Sequence, residues 1–192
     1  MIKTSRLLLR RWRPGDRNSF AALHADPEVM LDLGGPLDRA ASDRKFDRYV
    51  AAFEQHGYSR WVLENCAGHF LGYTGIMPSD LRHPLGLHSE IGWRLARSAW
   101  GNGYAAEAAA AALDDAFERH ILDEVLAYTA PDNARSIAVM NRLGLQRDQS
   151  RDFVLSNGWR GLVWVAAAAD WGAHPLPVRS TRHKRRPTSL AP

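Results

Sequence analysis

Two glycines constrain this chain more than any other feature. Trp100-Gly101-Asn102-Gly103-Tyr104-Ala105 stands between an apolar strand pattern, residues 88–95, and an alanine-dense run, residues 103–120, that reads as a helix. Glycine lets a backbone turn sharply and come close to a ligand. A helix start offers unpaired N–H groups and the positive end of its dipole. Together they make a site for a pyrophosphate. The plainer alternative is a glycine turn that only leads into a core helix. A rival pattern overlaps the same residues, because Gly101-x-Gly103-x-x-Ala106 matches a dinucleotide-binding fingerprint. That fingerprint belongs directly after the first strand of a βαβ unit, with an acidic residue ending the next strand. Here three predicted antiparallel strands come first, residues 96–100 intervene, and the next strand ends at Thr129-Ala130. A nicotinamide-dependent enzyme is therefore a remote alternative.

The rest of the chain fixes the frame around that loop. Residues 6–12 read as a first strand, stopped by Pro14-Gly15-Asp16. A helix follows with Phe20, Leu23 and His24 at helical spacing, broken by Asp26-Pro27. Ser42 is the expected N-cap of a second helix reaching His56, with Phe46, Tyr49, Val50 and Phe53 on one face and Gly57 as its stop. The period then shortens to that of strands: residues 61–64 and 70–76 flank the turn Asn65-Cys66-Ala67-Gly68, and residues 88–95 follow. After the alanine helix, Glu124–Thr129 reads as a buried strand. Asp132-Asn133 opens a last core helix ended by Gly144, and two strands lie near Phe153 and at residues 162–165. The order predicts one α/β domain over residues 4–170. Its sheet is mixed and mostly antiparallel, with six to seven strands, about four helices and one parallel crossover.

Charge is segregated. Five basic residues and no acidic ones follow Asp170. Removing those five from the 25 Lys and Arg leaves 20 against 21 Asp and Glu, a net of −1 for residues 1–170. A near-neutral domain with a basic tail argues against a specific nucleic-acid reader, whose basic face sits on the domain. Residues 171–192, rich in Pro and Arg, are expected to be a disordered tail. No apolar run approaches the roughly 20 residues of a membrane span. The single cysteine, Cys66, allows no intrachain disulfide, and a reduced, cytoplasmic setting is the default expectation. The histidines show no metal-ligand spacing. A homodimer is left open.

Several ordered motifs now carry a resemblance. Thr4-Ser5-Arg6-Leu7-x-Leu9-Arg10, Glu90-Ile91-Gly92-Trp93, the Trp100–Ala105 loop with Ala106-Glu107-Ala108, Asn133-x-x-Ser136 and Met140-Asn141-Arg142-Leu143-Gly144-Leu145 follow one another at family-like separations. The chain resembles the GCN5-related N-acetyltransferases over about residues 4–170, most of all the branch that holds the ribosomal-protein N-terminal acetyltransferases. The resemblance implies acetyl-CoA as co-substrate and a small-molecule or peptide amine as acceptor. It implies that the cofactor lies where the strand at residues 90–95 and Glu124–Thr129 splay apart. Its pantetheine arm would meet the backbone of Trp93 and Leu95. Its pyrophosphate would meet the N–H groups around Trp100, Gly101, Asn102, Gly103, Tyr104 and Ala105. Asn133 would both cap its helix and touch the cofactor. Where many relatives carry a tyrosine acid, this chain has Met140, which cannot donate a proton. A non-catalytic acyl-CoA sensor on the same fold is thus the alternative to an enzyme.

Acetyl transfer to an amine sets chemical demands. An α-amine titrates near about 8 and a lysine near about 10.4, so a base must take a proton at neutral pH. Glu90 is the candidate base, bordering the inferred acetyl site; the plainer role is a solvated strand carboxylate or an ion pair with Arg94. A backbone N–H near Leu95 is the candidate oxyanion donor. Ser136 is the candidate that helps the thiol leave, its plainer role being a hydrogen bond at the helix start. Residues 26–48 and 77–87 are expected to shape the acceptor pocket.

Overall fold

The computed structural model describes residues 1–120 and 122–172. Two short strands, β1 (Ile2–Lys3) and β2 (Leu7–Arg10), open the chain and pair antiparallel. Helices α1 (Arg17–Ala25) and α2 (Arg39–His56) follow. The cap of α2 is Asp38, whose carboxylate accepts from the Ala41 N–H at 2.7 Å. The expected cap, Ser42, lies one turn inside the helix and is buried. Gly57 ends α2 in the left-handed conformation, as its sequence position predicts. Phe46, Tyr49 and Phe53 are buried along α2, but Val50, about 65° from the centre of their stripe, is exposed.

Strands β3 (Arg60–Asn65), β4 (Phe70–Pro78) and β5 (Ser89–Leu95) form an antiparallel run. Helix α3 (Tyr104–Arg119) crosses over to β6 (Glu124–Thr129), and α4 (Ala134–Arg142) follows it. The chain continues through β7 (Gln146–Arg147), β8 (Phe153–Val154), β9 (Arg160–Ala167) and the short α5 (Ala168–Trp171). The order across the sheet is β1-β2-β3-β4-β5-β6-β9-β7, with β8 added to β9. That is nine strands among the described residues rather than six or seven. The two extra ones, β1 and β7, hold two residues each, too few to show a period.

Alanines 108–112 are all buried on α3, and their small side chains let the helix sit close on the sheet. On the α1–α2 side, Phe20 packs against Phe46 and Tyr73, and Tyr49 against Tyr73, with ring centroids 5.4–5.7 Å apart. These edge-to-face and stacked contacts fix α2 over β4. Trp171, placed by sequence at the head of the tail, instead packs on Phe117 and donates its indole N–H to Asp114 at 2.8 Å. The predicted disorder of the tail from residue 173 onward lies outside the described residues.

Candidate active site

The central strands pair in parallel at a single position, Glu90 opposite Leu126, and then part. Antiparallel pairing turns alternate residues toward each neighbour. The Ala96 N–H donates to the Leu71 carbonyl at 2.9 Å. Arg94 and Gly92 therefore face β4, while Trp93 and Leu95 turn their backbone groups to the open edge. The Leu95 carbonyl is taken by the Trp100 indole N–H at 2.9 Å. A cleft of about 790 Å³ runs from this edge to the start of α3 and α4.

The glycine loop closes the far end of that cleft. Gly101 and Gly103 sit at φ 76° and 75°, a region costly for other residues. Gly103 is the N-cap of α3, and no side chain caps the helix start. Asn102 folds back on the loop, its amide donating to the Trp100 carbonyl at 3.0 Å, and does not line the cleft. Positive charge surrounds the loop. The Arg135 guanidinium lies 3.9 Å from the Trp100 ring centroid, and a Cβ on Gly103 would lie 3.3 Å from the Arg142 guanidinium. Arg6 donates to the Asn102 carbonyl at 2.9 Å and to Glu107 at 2.7 Å. Glu107 also accepts from Thr4 at 2.6 Å and Ser5 at 3.1 Å. Burial works to raise the Glu107 carboxyl, but Thr4 and Arg6 hold it below the ordinary carboxylate range. The Thr4-Ser5-Arg6 motif is thus a strap that ties the chain's start to the loop.

A second cavity of about 240 Å³ lies on the other side of the parting strands, and Trp93, Arg94, Asp32 and Ser136 line both. Glu90 faces this smaller space. Its partner is Arg60 from β3, not Arg94. Four residues of strand span about 13 Å, so Glu90 and Arg94 lie too far apart for the ion pair of the plainer alternative. Gly92 makes room for the Arg60 guanidinium, which would lie 2.9 Å from a Cβ there. Tyr128 lies beside Glu90, and burial, with that nearby carboxylate, keeps its phenol protonated. Arg94 instead pairs with Asp32 at 3.0 Å and with the Val29 carbonyl.

Asp32 is a junction between the two cavities. It also accepts from the Asn133 amide at 2.7 Å, while the other end of that amide caps α4 by accepting from the Ser136 N–H at 3.1 Å. The loop carrying Asp32 is thereby pinned to β5 and to α4. The Ser136 hydroxyl makes no hydrogen bond among the described residues. Met140 is buried in the wall of the smaller cavity. Residues 77–87 line neither cavity; His83 reaches the site indirectly, its ring stacked on Tyr128 at 5.2 Å.

The site thus gathers Trp93, Leu95, Trp100, Gly101, Gly103, Tyr104, Ala105, Asn133 and Ser136 around one cleft, with Glu90 in the adjoining cavity. Sequence reading missed Arg60, Tyr128, Asp32 and the arginines at the loop. Each lies far along the chain from the motif it serves; Arg6 and Arg142 stood in motifs, but with no role read for them.

The splayed parallel pair thus opens an unpaired strand edge beside a glycine loop and a helix start that suits an anion. The chain matches the acetyltransferase (GNAT) domain over residues 6–146 and belongs to that family. It is 34% identical over 146 residues to the uncharacterized protein YkkB of Bacillus subtilis (strain 168), covering 75% of this chain and 84% of that one. An acetyltransferase from Agrobacterium tumefaciens str. C58 superposes with a TM-score of 0.75 at 31% identity, covering 86% of this chain and 92% of the other. Mycobacterium smegmatis RimJ in complex with CoA-disulfide shares the fold, with a TM-score of 0.65 at 23% identity over 85% and 83% of the two chains. Among the described residues no helix is long and apolar enough to cross a membrane.

Proposed function

We propose that this protein transfers an acetyl group from acetyl-CoA directly to a primary amine, with both held at once. The observation that carries the reading is the open edge of β5, which runs from Glu90 past Trp93 and Leu95 to the glycine loop. A pantetheine arm pairs with that edge like a missing strand. The pyrophosphate meets the helix start and its arginines. The amine enters from the smaller cavity and attacks the thioester carbon. Its proton passes to Glu90, directly or through water. The Leu95 N–H steadies the oxyanion, and the carbon–sulfur bond then breaks. A thiol titrates near about 8.5, so the thiolate leaves with modest help. Ser136 supplies that help as a proton donor and recovers its proton from solvent.

The test is a panel of small amines and peptides incubated with acetyl-CoA and read by mass spectrometry for addition of one acetyl group. Acetylation of an amine is the expected result. Tight acetyl-CoA binding with no transfer to any amine would make the protein an acyl-CoA sensor instead.

A further inference from the structure

We infer that the acceptor is a small primary amine that also carries an anionic group, a carboxylate or a phosphonate, held by Lys45 and Arg48 of α2. The inference rests on the transferase reading above and adds the class of acceptor. The smaller cavity is lined by four cationic side chains and two anionic ones. Both carboxylates are already engaged, Glu90 by Arg60 and Asp32 by Arg94. Lys45 and Arg48 have no ion pair or hydrogen bond among the described residues; Arg48 only approaches the Tyr49 ring, at 5.7 Å. Lys45 is half-buried. Burial, together with Arg94, Arg48 and Arg60, pulls its ammonium below the ordinary lysine range, although Tyr49 opposes this.

A half-buried cation without a counter-charge is unfavourable unless something arrives to pair with it. The remaining wall does not supply that charge. The Tyr49 and Tyr73 rings pack edge to face at 5.4 Å, and the Tyr73 hydroxyl meets His24 at 3.2 Å. His24 is neutral, its burial lowering it to about 4. With Lys45 and Arg48 unbalanced, the cavity repels a polyamine and favours an anion. Its size, about 240 Å³, suits an acceptor of amino-acid dimensions rather than a long chain. The anion sits toward α2 and the amine toward Glu90 and Ser136.

The experiment compares matched acceptors with the full chain: β-alanine against β-alaninamide, 2-aminoethylphosphonate against ethylamine, then spermidine and a C-terminally amidated peptide. Each acidic amine should exceed its partner without the acid group in kcat/KM by about tenfold, the scale of one partly desolvated charge pair. Lys45→Met should erase that preference and Lys45→Arg should keep it. Arg48→Ala, at an exposed position, gives the same reading should Lys45→Met fail to fold. Preference for the amides, spermidine or the peptide would overturn the inference while leaving acetyl transfer intact, as would a preference that survives Lys45→Met and Arg48→Ala. Thermal shifts of the CoA-bound protein separate the two failures. Stabilisation by β-alanine and not by its amide, with no transfer to any amine, upholds the anion pocket and defeats the transferase reading. Neither stabilisation nor transfer defeats both.

Discussion

The two cavities that meet at Trp93 and Ser136 are made of different materials. The larger is mostly backbone: an unpaired strand edge, two left-handed glycines and an uncapped helix start. The smaller is mostly side chains, brought in by α2, β3, β5, β6 and the loop around Asp32. Backbone features suit a ligand part that never varies, such as a pantetheine and its pyrophosphate. Side chains suit a part that must be chosen, since one substitution changes charge or shape without moving a strand. The division predicts that damage to the two regions will read out differently.

The largest effect should come from the smaller cavity. Glu90→Gln should lower kcat by roughly 10²–10⁴-fold, the usual scale of acid–base groups. The loss should shrink at high pH, where the amine is already neutral. Initial rates from pH 7 to 10 check both points, and an unchanged rate at pH 7 would make Glu90 structural.

Next is the pair beneath it. Arg60→Met leaves Glu90 and several carbonyls without their donor. Breaking a buried pair this way should cost about 3 kcal/mol of stability. Denaturant unfolding measures this, and a loss under about 1 kcal/mol would show that water replaces the guanidinium.

A comparable but pH-dependent effect belongs to His24, which donates to the Phe20 carbonyl and meets the Tyr73 hydroxyl. Its folded value of about 4 lies below the ordinary 6.5. Between those values the unfolded chain binds a proton that the folded chain does not. Stability from this group is therefore complete above about pH 6.5 and lost as the pH falls toward 4, by about 3 kcal/mol in all. Unfolding free energies of wild type and His24→Gln across that window check it; parallel curves would contradict it.

The same division explains what the sequence disclosed. The glycine loop, the alanine helix and the Asn133 cap are runs of neighbouring residues, so local propensity and spacing carry them. β5 and β6 were legible as strands, and their splay followed from the resemblance. The Arg60–Glu90 pair was not legible, because it joins residues 30 apart through sheet register. Arg94 looked like the partner only because it was near in sequence. The Asp38 cap was missed for another reason: Asp38 and Ser42 are both good caps one turn apart, and the start of α2 is too polar to show which one begins the apolar stripe. Residues 26–48 were expected to border the acceptor, but which of them matter was not legible: Lys45 and Arg48, on the polar part of α2, look like any solvated pair of cations until the fold sets them in a cavity.

One paired measurement tests the account most directly: acetyl-CoA affinity by calorimetry and kcat by thiol release, for Gly103→Val and Glu90→Gln together. Valine at a left-handed position, beside Arg142 and at the proposed phosphate site, should weaken acetyl-CoA binding by about tenfold or more. Glu90→Gln should bind acetyl-CoA like the wild type while losing turnover. Unchanged acetyl-CoA binding in Gly103→Val, or lost binding in Glu90→Gln, would contradict the division of the site into a backbone-built cofactor cleft and a side-chain-built acceptor cavity.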